Sequence, residues 1–134
     1  MKKILLITSI ILVIILGIVG FIFYNSRTVT TITLDINPSI KINLDRKNKV
    51  KSVIPLNGDG KEIVDQNFEG KTLDDTLNII AANVVEKGYT DDNGVTILLY
   101  SKGNVNNKDL EEQIRCSYAH QNIGANVITI DKIN

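Results

Sequence analysis

Four positions in one short run, Asp35, Asn37, Pro38 and Ser39, carry the chemistry this sequence is best equipped to do. An asparagine followed by proline is barred from the usual route in which the next backbone nitrogen attacks the side chain, because proline carries no N–H. The reverse polarity stays open. The side-chain nitrogen of Asn37 attacks its own carbonyl, closes a succinimide and expels Pro38 as a new N-terminus, which cuts the chain. In a strand, positions two apart share a face at a spacing of about 6.6 Å. Asp35 therefore projects beside Asn37, where it is able, directly or through one water, to take a proton from the attacking amide or give one to the departing nitrogen. Ser39 is able to polarise the carbonyl, but it stands one residue too late for a local N-to-O acyl shift. The proline amide is tertiary and constrained, so a twist there would make it a better leaving group. Asn-Pro equally opens an ordinary turn between two strands, and Asp35 equally caps a turn or lies solvated; spacing alone leaves both readings standing.

The elements that must position these residues form an α+β pattern. From Thr28 to Asp35 β-branched residues dominate, with Ile32, Leu34 and Ile36 on one face and Thr31, Thr33 and Asp35 on the other, which predicts a half-buried strand. Ile40, Ile42 and Leu44 alternate with Lys41, Asn43 and Asp45 to predict a second. A polar turn, Arg46-Lys47-Asn48, leads to a third strand from Lys49 to Leu56, whose broken alternation predicts a bulge near Pro55. Asn57-Gly58-Asp59-Gly60 predicts a turn. From Thr72 to Lys87 an apolar stripe, a capping threonine, acidic residues in the first turn and Gly88 at the stop predict a helix. Val95 to Tyr100 is a solid apolar run fit for an inner strand; Lys108 to His120 predicts a second helix, and Val127 to Ile130 a last strand. The expected fold is a mixed sheet of about five strands with two helices, in the order β-β-β-α-β-α-β, preceded by one transmembrane helix.

That first helix is expected from Ile4 to Tyr24, 21 residues without a charge. As a helix it measures about 31 Å, the thickness of a hydrocarbon core. The length of the run, and the lack of suitably spaced small residues after it, favour an uncleaved anchor over a signal peptide. Lys2, Lys3 and the terminal amine against Arg27 put the N-terminus in the cytoplasm. The reading is thus a single-pass protein of the cell membrane, with residues 1–27 as short cytoplasmic N-terminus and anchor and residues 28–134 as one extracytoplasmic domain.

The formal charge of zero conceals an outer part with twelve basic and fifteen acidic residues, a balance that makes nucleic acid an unexpected partner. Cys116 is the single cysteine, which excludes an internal disulfide. His120 is the single histidine, so no zinc cluster and no serine/histidine or cysteine/histidine pair is expected. Aligned as calcium loops, Asn57–Gly60 would put Pro55 and Gln66, and Asp91–Gly94 would put Tyr89 and Tyr100, at the first and twelfth ligand positions; both fail. No cofactor and no conventional turnover enzyme is expected, at most a single-turnover cut.

The run Thr31-Ile32-Thr33-Leu34-Asp35-Ile36-Asn37-Pro38-Ser39-Ile40, followed by Asn43-Leu44-Asp45, Val50, Val53, Leu56-Asn57-Gly58-Asp59-Gly60 and Gly70-Lys71-Thr72-Leu73, resembles the extracytoplasmic middle domain of RsgI-type anti-sigma factors. The resemblance runs from about Val29 to Tyr100, with Asp35-Ile36-Asn37-Pro38-Ser39 its sharpest part. It implies a single-pass membrane protein whose outer domain cuts itself between Asn37 and Pro38 and keeps both pieces together. It further implies that loss of the outer piece opens the membrane stub to proteolysis in sigma-factor signalling. Only Met1, Lys2 and Lys3 precede the span, so the expected partners are the membrane, the chain's own cleaved fragment, full-length RsgI-like proteins and membrane proteases, rather than a sigma factor held by this chain. The alternative from another class is an intact membrane-tethered binding or adaptor module in which Asn37-Pro38 is a turn.

Overall fold

A computed structural model of the chain describes residues 1–130; the last four residues of the expected outer domain lie outside the described residues. The apolar run forms α1 (Lys2–Asn25), long and apolar enough to cross a membrane, with none of its residues buried against the rest of the chain. After it come β1 (Thr30–Asp35), β2 (Ser39–Leu44), β3 (Val50–Pro55), α2 (Gly58–Ile63), α3 (Leu73–Glu86), β4 (Val95–Gly103), α4 (Asn107–Ala119) and β5 (Ala125–Thr129).

The five strands make one mixed sheet in the order β3-β2-β1-β4-β5. β1 pairs antiparallel with both β2 and β4, and β4 pairs parallel with β5 through the α4 crossover. Period-two alternation turns Ile32, Leu34, Ile40, Ile42, Ile97 and Leu99 to one face, where Leu77, Ile80, Ala81 and Val84 of α3 and Leu110, Ile114 and Tyr118 of α4 close the core over them. The other face carries Thr31, Thr33, Asp35, Lys41 and Asn43 and is at least partly open to solvent. β4 is an inner strand, as its apolar run implied. Burial of the Tyr118 phenol in the core raises its pKa above the ordinary range.

Two local expectations need correction. The irregularity in β3 is not at Pro55, which pairs regularly with Ile40; the register shifts at the other end, where Asn43 faces Ser52 and Leu44 faces Val50, leaving Lys51 unpaired. The polar turn that starts β3 forces this, because Val50 is also bound to the loop before α3 through Lys71 and Gly70. The segment from Asn57 to Gly60 is not a turn but the start of α2, an element additional to the two expected helices, with the Asn57 side chain as its cap.

Candidate functional site

The Asn37–Pro38 bond lies at the apex of the β1–β2 hairpin, in a loop of three residues between the paired Asp35 and Ser39. The Ile36 N–H donates to the Pro38 carbonyl at 2.9 Å. The reciprocal bond cannot form, because Pro38 has no N–H, so the nitrogen that would leave in a cut takes no part in the ladder. Asn37 stands alone at the tip with φ 59°, in the left-handed region. Asparagine tolerates that region better than most residues, but a residue before proline ordinarily prefers extended backbone. A conformation this sparsely populated stores about 1–3 kcal/mol. The peptide itself is trans.

Alternation through the tight loop sorts the four residues. Asn37 and Asp35 are exposed and Ser39 is partly so, all on the open face, whereas Pro38 is buried with Ile36 on the core side. The structure brings Asp35 and Ser39 together: the Ser39 hydroxyl donates to Asp35 Oδ1 at 2.8 Å across the hairpin mouth. That bond leaves the serine's other lone pair and the second carboxylate oxygen free. A carboxylate and a hydroxyl are thus paired across the hairpin mouth two residues to either side of the exposed Asn37.

Sequence reasoning missed the residue that clamps the far side of this bond. Asn57 Oδ1 accepts from the Ser39 N–H at 3.1 Å and from the Gly60 N–H at 2.7 Å, so one side chain both caps α2 and holds the residue after Pro38. The Ser39 carbonyl accepts from the Leu56 N–H at 2.9 Å. Gly60 is obligatory for this approach: a Cβ there would lie 2.4 Å from the Ser39 carbonyl oxygen. α2 is in turn pinned from behind. Ile63 is fully buried, Asn83 of α3 donates to the Ile63 carbonyl at 2.9 Å and to Asp65 at 3.1 Å, and the Tyr89 hydroxyl donates to Glu62 at 2.5 Å. That bond to Glu62 pushes the Tyr89 pKa up to about 12. A chain of contacts from α3 through α2 to Ser39 therefore fixes the hairpin. The available signal was an asparagine three residues before a glycine N–H, which reads as a cap as readily as a turn.

The remaining candidates stay apart from this site. His120 ends α4 and meets Asn78 at 3.1 Å, and Cys116 is an exposed thiol on α4. A cleft of about 430 Å³, lined among others by Lys47, Lys49, Asn104 and Asn106, opens at the opposite end of the sheet.

With this geometry in view, the comparisons with known proteins identify the class. The family described as anti-sigma factor RsgI-like central domain matches residues 29–134, and the chain belongs to that family. It is 31% identical over 81 residues to the anti-sigma-I factor RsgI7 of Acetivibrio thermocellus, covering 60% of this chain and 15% of the relative. It is 38% identical over 69 residues to the anti-sigma-I factor RsgI3 of the same organism, covering 51% of this chain and 11% of the relative. The chain thus spans a small part of the length of these curated relatives.

Proposed function

We propose that this chain is a membrane-anchored, extracytoplasmic signalling domain that cuts itself once between Asn37 and Pro38, retains the outer fragment without a covalent link, and acts in or alongside sigma-factor transmembrane signalling. The observation that carries the reading is Asn37 at the hairpin apex, left-handed before a buried proline, with the Asp35–Ser39 pair on its own face. Asn37 Nδ2 bonds to the Asn37 carbonyl carbon, and the bond from that carbon to the Pro38 nitrogen breaks. The proton lost by the amide reaches the proline nitrogen by way of Asp35. Water then opens the succinimide and leaves a free carboxyl at the end of the shorter piece. Family membership supports the signalling role. The basic Lys2–Lys3 pair supports a cytoplasmic N-terminus, with the membrane, the cleaved fragment, full-length relatives and membrane proteases as partners.

The test is a mass spectrum of the purified full-length chain. Fragments of 37 and 97 residues, summing to the parent plus one water, are expected, with Pro38 as the new N-terminus. Asn37→Ala should give one intact chain, since alanine offers no side-chain nitrogen. An intact parent would overturn the reading in favour of an uncut adaptor, and a cut that persists in Asn37→Ala would overturn the succinimide route. Protease added to intact cells should reach a tag fused after Asn134; its protection would reverse the topology.

A further inference from the structure

The hairpin between β2 and β3 reaches back past the end of the apolar helix. The Arg46 guanidinium lies 3.8 Å over the ring of Tyr24, and Asp45 and Lys47 line one recess with Phe21, Ile22, Asn25 and Ser26. Phe21 sits about 6 Å inside the last residue of α1 at 1.5 Å per residue. The hairpin tip therefore overlaps an aromatic helix end, Phe21, Phe23 and Tyr24, of the kind that marks the headgroup level of a membrane span.

Charge is segregated along the strand axis to match. Among the described residues, the loops and the end of β4 nearest α1 carry Arg27, Arg46, Lys47, Lys49, Lys71 and Lys102 against Asp45 and Glu69. The first turns of α3 and α4 add Asp74, Asp75 and Asp109 against Lys108, each acid set against the positive end of its own helix. The far end, made by α2, the end of α3 and the adjoining loops, is acidic: Asp59, Glu62, Asp65, Glu86, Asp91 and Asp92 against Lys61 and Lys87. The two ends are separated by six-residue strands, about 20 Å, which is twice the Debye length of about 8–10 Å at physiological salt. A negatively charged surface at the helix end thus attracts the near loops while the far acids are screened from it.

We propose that the membrane end of this domain docks on anionic phospholipid headgroups, with Arg46, Lys47 and Lys49 at the contact. The tether makes this surface available continuously, since α1 delivers the tip to the headgroup layer whenever the chain is inserted. The docked pose stands the sheet upright and holds the Asn37 hairpin about 20 Å above the lipid, a strand's length away.

The test uses the full chain, which has no tryptophan of its own. Asn104→Trp places a reporter in a membrane-end loop and Asn93→Trp one in a far loop. Each is reconstituted in nanodiscs of phosphatidylcholine alone or with phosphatidylglycerol, all containing a headgroup spin label as quencher. Quenching of the Asn104 reporter should rise in the anionic discs and fall back in high salt, while the Asn93 reporter stays unquenched. Each basic side chain removed should lower the docked-to-free ratio about fivefold, so the triple change R46Q, K47Q, K49Q should lower it about a hundredfold. The paired change K61Q, K87Q at the far end should leave it unaltered, and a thermal melt of the triple variant checks its fold. Equal quenching in neutral and anionic discs, or quenching indifferent to the triple change in a folded variant, would overturn the proposal. Competition by inorganic phosphate at constant ionic strength would also overturn it, in favour of a soluble anion.

Discussion

Leu34→Ala tests whether the first strand is what holds a cut chain together. After a cut at Asn37–Pro38, the membrane piece contributes β1 alone to the sheet, and Leu34 is 1% exposed next to the last residue of that strand, between Ile40 of β2 and Leu99 of β4. Trimming a buried leucine to alanine removes transfer energy and leaves a cavity, at a cost of about 2–5 kcal/mol. Taking about 3 kcal/mol, the dissociation constant of the two pieces rises about 150-fold, at 1.4 kcal/mol per tenfold. Ile32→Val, at about 1 kcal/mol, should raise it about fivefold. Thr33→Ala, on the open face opposite Lys41 and Tyr100, serves as the control and should do little. The assay captures the C-terminal tag from mild detergent and follows how fast the 37-residue stub washes away, after a mass spectrum has established that each variant is cut. The reasoning fails if Leu34→Ala retains its stub as long as Thr33→Ala, or if the parent loses its stub immediately without denaturant.

Removing the clamp behind the bond proposed to break should slow cutting without moving it. Asn57→Ala leaves the Ser39 and Gly60 N–H groups without their acceptor and costs about 0.5–2 kcal/mol of stability as a lost cap, whereas Asn57→Asp keeps the oxygen and should keep most of the rate. Denaturant melts in an Asn37→Ala background, beside the cut fraction over time, check both. The Tyr89–Glu62 bond gives a signature at high pH. The folded pKa of Tyr89 is raised to about 12, so its contribution is whole below the unfolded value near 10 and is lost as pH rises through about 12. Tyr89→Phe should therefore flatten that part of the stability profile; an unchanged profile would mean the pair does not fasten α2.

The strands and the two long helices were legible because each carries its own local signal: alternation in β1 and β2, a continuous apolar run in β4, a threonine cap and an apolar stripe in α3. α2 was not, since Gly58 and Gly60 each cost a helix about 1 kcal/mol relative to alanine and the six residues between Asn57 and Val64 carry little periodicity. Its existence depends on tertiary partners far along the chain, Ile63 in the core and Asn83 behind it. The common face of Asp35, Asn37 and Ser39 followed from period two. The 2.8 Å Asp35–Ser39 contact and the left-handed Asn37 did not, because both require the three-residue loop that Asn57 and Gly60 hold shut.

Strand order was the least legible feature, and it bears most on the proposed mechanism. An alternating strand reads alike at an edge or in the middle, since its pattern reports which face is buried and not how many neighbours it has. β1 turns out to be the middle strand, paired along six residues with β2 on one side and six with β4 on the other. At an edge it would peel away and leave a four-stranded sheet behind. In the middle its departure severs β3–β2 from β4–β5 and uncovers Ile40, Ile42, Ile97 and Leu99, all fully buried while it is there. A chain cut directly after β1 therefore cannot shed its outer piece by a local fraying step. It must open the core along its centre, so spontaneous release is slow, and a load that unfolds the outer piece becomes the natural trigger for separating it from the membrane.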